Sequence, residues 1–506
     1  MKFVVLGGGV AGVCCAEELC EIRPEDHVTL ISVSDLVKGV DNVVHVSKFI
    51  EEFQVVERPI STLTRPTLSV LQADVTDIDP ISKTLSTSAG GVPYDKLCIC
   101  CGARPRVVAD HPLVVTLRDT ESVQALGERL QGVKRILVVG NGGIALELVG
   151  TLTDVDIIWA ARHGSVGDAY FDKDAGKFLL DVLATQRAGP DGDSPPSLKR
   201  SRRSGVQQGE GVSKKEGWTA HVGGVRPGAA VGPEWAGLLR QQAQGALGTR
   251  AADRSAAPRG GEQRRGELTL AMDSELVEIT TERPAGAGSE EVVDGESWQG
   301  YVSLSNGACY GVDLVVSATG VIPNTEWIAG KEIEKAEDGA VVVDRQMRTS
   351  AADVYAAGDA CSLGWDDKSA FFFQMRLWTQ ARLQGRYAAH CMAGVTDQLA
   401  LGFNLELFTH TTRFFDLKVV LLGRYNGQGL EEEAEEDMVT YVRSIIEPEP
   451  AFIRVLLLRG RMQGAVLIGD TDLSETMENL ILDGLDLSVY GPELLDPEID
   501  LEDYFD

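Results

Sequence analysis

The sequence predicts an α/β chain made of two Rossmann-like, doubly wound units followed by a smaller α+β domain. Three observations carry that expectation. "FVVLGGGVAG" (Phe3 to Gly12) runs an apolar strand into a glycine turn and a helix, and "LVVGNGGIALE" (Leu137 to Glu147) repeats the pattern. From about Leu401 the chain changes to alternating strand patterns with one helix near Leu473 to Leu482.

The two turns share one physical design. In a strand, G-x-G-x-x-G/A turn and helix, the first glycine bends the chain and the second lets main chain approach a pyrophosphate. The third position lets helix and strand pack closely. These positions are Gly7, Gly9 and Gly12 in the first copy, with Val10 and Ala11 between them, and Gly140, Gly142 and Ala145 in the second. Each follows an apolar run (Phe3 to Leu6, Ile136 to Val139) and leads through a helical pattern to a second apolar strand (His27 to Ile31, Asp156 to Ala160). A βαβ unit that occurs twice predicts two bound dinucleotides.

Between and after these units the composition changes. From Arg187 to Arg265 the chain is rich in Gly, Ala, Pro, Ser and Arg and holds 14 Lys and Arg against 7 Asp and Glu, which predicts a flexible basic insertion. Gly232 to Leu239 is its one expected ordered island, and "LKRSRR" (Leu198 to Arg203) fits either a nuclear-import signal or a solvated linker. A turn at Asn306-Gly307 predicts a hairpin before the buried strand Leu314 to Ala318, and Phe371 to Ala393 reads as helical. The chain closes on an acidic tail with Tyr504 and Phe505 among the acids.

At 506 residues there is room for about three domains. A formal net charge of −29 with mean hydropathy near zero predicts an acidic globular surface and no direct nucleic-acid partner. No stretch approaches the ~18 apolar residues of a membrane span. Phe3 to Ala16 lacks a cationic leader and is broken by four glycines, so neither a signal peptide nor a membrane partner is expected. Nine cysteines without framework spacing suit a reducing compartment.

Three further stretches bring strands to glycines or acids where a second nucleotide-binding contact is needed: "YDKLCICCGARP" (Tyr94 to Pro105), "VVSATGVIPN" (Val315 to Asn324) and "TSAADVYAAGDA" (Thr349 to Ala360). With the two turns, they resemble the pyridine nucleotide-disulphide oxidoreductase superfamily, which binds FAD in one domain and NAD(P)H in another inserted within it. The resemblance implies an FAD-binding domain over 1–115 and 315–400, an NAD(P)H-binding domain over 116–314 carrying the insertion at about 187–265, and an α+β domain over 401–506. It places Gly7, Gly9 and Gly12 on the FAD pyrophosphate and Asp359 on the ribityl or phosphate side, with Gly102 and Gly358 allowing close approach. Gly140, Gly142, Gly143, Ile144 and Glu147 would form the nicotinamide-nucleotide side, with Gly320 lining that cleft. Lys38 falls where relatives place a basic residue near flavin N5, to stabilise the anionic reduced ring. Trp378 and Gln380 would line the ring or fill the core.

The chain also departs from the superfamily pattern. The acid that binds a ribose at the end of the second strand is replaced by Ser32 in the first unit and by Ala160 in the second, where Ala161, Arg162 and His163 follow. Without that carboxylate, Arg162 is available for a 2′-phosphate, so NADPH is expected alongside NADH. The redox disulfide is missing too: "DLVKGVDNVVHVSK" (Asp35 to Lys48) contains no cysteine. Cys14, Cys15 and Cys20 read as core fillers, and Cys98 to Cys101 lacks a second Cys or His pair for a metal, so no metal is expected. His410 is the last histidine, in no C-terminal His-Glu pair.

These readings imply an FAD-dependent NAD(P)H oxidoreductase without a thiol relay, passing electrons to oxygen or another acceptor. The alternative is a nucleotide-reduced flavoprotein that binds and shields a partner with little turnover. "QMRLWTQAR", "KVVLLGRYN", "GAVLIGDTDLSETMENLIL" and "LLDPEIDLEDYFD" narrow the resemblance to an animal branch of the superfamily. That branch implies the tRNA ligase complex as the partner guarded from oxidation, and a cytoplasmic and nuclear location.

Overall fold

A computed structural model of the chain describes residues 1–188, 198–200, 266–283, 297–328, 330, 332–365, 371–395 and 405–496. The first unit is a five-stranded parallel sheet in the order Leu68–Gln72, His27–Ser32, Lys2–Leu6, Lys96–Ile99, Val354–Ala356. Helix Val10–Ile22 covers it, packed in turn against helix Trp378–Ala393. The two helices approach closely because small residues meet: a Cβ on Gly385 would stand 2.2 Å from the Ala11 carbonyl oxygen. The cysteine-free stretch is an antiparallel hairpin, Leu36–His45 with Glu51–Pro59.

The second unit is a six-stranded parallel sheet, ordered Val114–Thr116, Leu314–Ser317, Arg135–Val139, Asp156–Ala160, Leu268–Ala271, Leu198–Arg200. The expected boundaries at 115/116 and 314/315 therefore fall inside two strands of this sheet, which pair with each other at Val114 and Val315. Short apolar strands read alike whichever sheet takes them, and only long-range pairing assigns them. Strands Leu276–Thr280, Gly300–Leu304 and Cys309–Val312 add an antiparallel layer, with the expected turn at Asn306 and Gly307.

The insertion begins later than expected. Arg187 still belongs to helix Lys173–Ala188, and its guanidinium donates to the carbonyls of Val149, Leu152 and Gly266. Leu198–Arg200 is an edge strand rather than part of a structureless linker. The rest of the insertion, including Gly232 to Leu239 and Ser201 to Arg203, lies outside the described residues, as does the acidic tail beyond Asp496.

The third domain is a five-stranded antiparallel sheet, Thr409–Phe414, Leu417–Gly423, Arg461–Ile468, Ala451–Leu458, Met438–Ile445, with helix Ser474–Asp483 on one face. It braces both other units. Glu478 accepts from Ser47 Oγ at 2.6 Å beside the first-unit hairpin, and Ile50 is buried in the third-domain core. Arg454 pairs with Asp172 at 3.0 Å and Asn426 donates to the Tyr170 carbonyl at 3.0 Å, both on the second unit. No helix among the described residues is long and apolar enough to cross a membrane.

Candidate functional site

The two glycine turns have matching geometry. Gly7 (φ 125°) and Gly140 (φ 130°) occupy backbone space that L side chains rarely enter, and a Cβ on either would stand 2.1 Å from a carbonyl oxygen of the neighbouring crossing strand, Cys100 or Ala318. Gly9 and Gly142 differ. Their φ values, −76° and −93°, suit any residue, yet a Cβ on either would meet no protein atom within 4 Å. Space is therefore left in front of both turns, at the N-termini of helices Val10–Ile22 and Gly143–Thr151, where no side chain caps the helix and no acid sits in the first turn. Main-chain N–H groups facing open space with a positive dipole end behind them suit a pyrophosphate, so the residues fit a dinucleotide at each turn.

Around the first turn, charge is concentrated. The Lys38 amide donates to the Gly8 carbonyl at 2.8 Å, which fastens the hairpin to the turn. Its Nζ lies 3.2 Å from the Arg118 carbonyl, 3.5 Å from Glu57 and 5.2 Å from the centre of the Trp378 ring. Burial pulls the Lys38 pKa below its ordinary value, with Glu57 opposing that shift. Asp359 follows Gly358 (φ 73°) and faces Arg118 at 3.6 Å, while the Asp359 carbonyl accepts from Arg376 at 3.2 Å. Burial raises the Asp359 pKa against the pull of these two arginines. Ser32 sits beneath Gly8, its hydroxyl donating to the Ser34 carbonyl, so toward a ribose it offers only an acceptor. Gly102 (φ 65°) brings its main chain under Arg118. Gln380 does not line the site: its amide donates to the Phe373 carbonyl and accepts from the Met375 amide.

The second turn brings together Gly140, Gly142, Gly143, Ile144, Glu147 and Gly320, the last also facing open space. Glu147 lies on the helix after the turn and is exposed to solvent, yet the protein packed around its carboxyl pushes it up to about 7. Beside it stands a group with no sequence signal. The Tyr170 hydroxyl would be 3.2 Å from a Cβ on Gly143, and its ring stacks on His410 at 6.1 Å. Burial raises the Tyr170 pKa, and the charges of Glu147 and Asp359 add to the shift. His410 shares a hydrogen bond with Thr379 at 3.2 Å, and burial lowers its pKa to about 4. Asn141 ties the Tyr170 loop to the turn, donating to the Ser165 carbonyl at 2.7 Å and accepting from the Gly167 amide at 2.7 Å. Arg162 follows the end of strand Asp156–Ala160, two residues past the Ala160 carbonyl that the Gly140 amide reaches, and is ion-paired with Glu275.

The nine cysteines are all unpaired. Burial pushes the thiols of Cys14 and Cys101 up to about 12, and the hydrogen bonds of Cys98 with Cys100, 3.5 Å away, and Cys15 raise Cys98 as well, which disfavours thiolate chemistry. Among the described residues no three His, Cys, Asp or Glu side chains converge on a metal position.

Two parallel sheets, each presenting a glycine turn that faces open space at a helix N-terminus, with a third domain packed against both, form an α/β fold with two sites suited to dinucleotides. The chain belongs to the pyridine nucleotide-disulphide oxidoreductase family, whose sequence profile matches residues 1–187 and 228–385. It is 37% identical over 551 residues to the pyridine nucleotide-disulfide oxidoreductase domain-containing protein 1 of Dictyostelium discoideum, covering 100% of this chain and 99% of that one. Among solved structures it is similar to an engineered water-forming NADPH oxidase bound to NADPH (TM-score 0.61, 18% identity, 96% and 92% covered). A water-forming NADH oxidase from Lactobacillus brevis bound to NADH is similar to the same degree (TM-score 0.60, 17% identity, 96% and 92% covered). The chain is thus an NAD(P)H-class oxidoreductase that lacks cysteine on the hairpin beside its first turn.

Proposed function

We propose that the chain is an FAD-dependent NAD(P)H oxidoreductase without a redox-active disulfide, with FAD at the Gly7–Gly12 turn and diffusible NAD(P)H at the Gly140–Ala145 turn. One observation carries this reading: two turns in tandem whose middle glycine faces open space that the protein itself leaves unfilled. When bound, FAD supplies a two-electron carrier between the pyridine nucleotide and an acceptor. The chain's own residues supply placement and field. Gly9 and Gly142 admit phosphate to main-chain N–H groups, Asp359 accepts hydroxyl hydrogen bonds, and Lys38 with Arg118 holds positive potential beside the first cradle. Tyr170 and His410, stacked beside the second turn, stay uncharged at neutral pH and add no competing charge there. With no thiol relay beside Lys38, oxygen or a small molecule is the electron acceptor.

A second reading is that the reduced protein serves mainly to bind and shield a partner. The absence of a thiol on the hairpin favours slow reoxidation. The tRNA ligase complex as that partner, and a cytoplasmic and nuclear location, rest on the resemblance alone. Mixing the purified protein with NAD(P)H in air separates the readings: repeated turnover supports the enzyme, and a single reduction with a persistent charge-transfer band supports the shield. A colourless preparation that cannot be reconstituted with FAD would overturn both.

A further inference from the structure

The fold does not choose the nicotinamide donor, since one similar structure binds NADPH and another NADH. The choice lies in side chains at the end of the second strand of the NAD(P)H unit, about 20 residues past the turn, where the adenosine ribose sits. That strand end is held against the turn: the Gly140 amide donates to the Ala160 carbonyl at 3.0 Å and Trp159 Nε1 to the Gly140 carbonyl at 2.8 Å. In sequence the position looks open to a 2′-phosphate, with Ala160 and Ala161 in place of the acid and Arg162 following.

Tertiary structure reverses that reading. The loop after strand Leu268–Ala271 is laced to the strand end, the Ala161 amide donating to the Ala271 carbonyl at 3.1 Å and the Ser274 amide to the Ala161 carbonyl at 2.8 Å. The Glu275 amide donates to Ser305 Oγ at 3.0 Å, which fixes the next residue of the loop as well. Two carboxylates are thereby delivered to the segment that lacks its own. Glu275 pairs with Arg162 through Nε, and the Asp273 carboxylate rests where a Cβ on Gly164 would lie 3.2 Å away. A third, Asp168, stands 3.9 Å from His163. Against these, Arg162 is the one arginine of the segment Ala160 to Asp168.

On the reading that the Gly140–Ala145 turn holds the nicotinamide nucleotide, we infer that Glu275, supported by Asp273, replaces the missing strand-end acid and makes NADH the preferred donor. The Arg162–Glu275 pair is exposed, 73% and 53%, so by itself it is weak and a phosphate could compete for the arginine. A 2′-phosphate would win Arg162 only by bringing about two negative charges against Glu275 and Asp273, which the main-chain ties hold in place. Uncharged hydroxyls meet no such opposition, and a carboxylate is their acceptor.

The test uses the holoprotein and two redox-silent probes, ADP-ribose and 2′-phospho-ADP-ribose, titrated by calorimetry. The wild type is expected to bind ADP-ribose about tenfold or more tightly than the phosphorylated probe, and Glu275→Gln to shift that ratio toward the phosphorylated probe by about tenfold. Adding Arg162→Ala to Glu275→Gln should cancel the shift, because the freed guanidinium is what binds the phosphate. Unchanged melting temperature in all variants checks the fold. A wild type that prefers the phosphorylated probe, or a Glu275→Gln variant with an unchanged ratio, overturns the inference while leaving the nucleotide site intact. Failure of both probes to bind the wild type instead overturns the site assignment, and the inference with it.

Discussion

Gly142→Ala separates a glycine kept for a ligand from one kept for the fold. At φ −93° and ψ −171° alanine is unstrained, and its methyl would meet no protein atom within 4 Å. Relief of unfolded-state entropy then makes the variant about 0.4–1 kcal/mol more stable than the wild type, or leaves it unchanged. Binding behaves oppositely. The methyl enters the space through which a pyrophosphate reaches the helix N-terminus, and a charge-assisted hydrogen bond lost there is worth about 1.5–3 kcal/mol. That corresponds to about 10- to 150-fold weaker affinity. Titration of the holoprotein with ADP-ribose gives the affinity, and thermal unfolding gives the stability. Affinity within twofold of wild type would refute the cradle, and a melting temperature lower by more than about 5 °C would show that the glycine serves packing instead.

Gly140→Ala should behave in the contrary way: at φ 130°, with a Cβ 2.1 Å from the Ala318 carbonyl oxygen, it costs stability first, and soluble yield and melting temperature should fall before any binding is measured. His410 lies 4% exposed with its pKa lowered from 6.5 to about 4, so the unfolded chain binds its proton first and stability falls as pH drops through that window. The loss reaches about 3 kcal/mol, and urea unfolding of His410→Gln should be flatter between those pH values. Glu147 has the reverse sign: with its folded pKa raised from 4.5 to about 7, the native state holds the proton more tightly and stability declines as pH rises across that range. Exposure of the side chain to solvent limits the effect to about 1 kcal/mol, and Glu147→Gln should abolish it.

The two turns were legible because everything that defines them is local. Strand, turn and helix N-terminus fall within about ten residues, and the glycines are demanded by φ or by space next to their own main chain. The antiparallel third domain was legible for a related reason: alternation along "KVVLLGRY" and "FIRVLLL" reports a sheet without naming its neighbours. The family resemblance added Lys38, Gly358 and Asp359 as positions, though not the groups that fix them.

Long-range pairing decided the rest. Val114–Thr116 and Leu314–Ser317 look like any buried strands, and only their register with each other assigns them to the second sheet. Lys38 is set by the Arg118 carbonyl and Glu57, and Tyr170 reaches the second turn because the third domain holds its loop. The sequence by itself determined that there are two glycine turns of dinucleotide-binding pattern and no cysteine from Asp35 to Lys48, since those are properties of short contiguous segments. Which charges surround each cradle was decided by tertiary structure, as Arg162 and Glu275 show. They stand 113 residues apart in the chain, and their effect on a phosphate depends on electrostatics that act through a few ångströms of space.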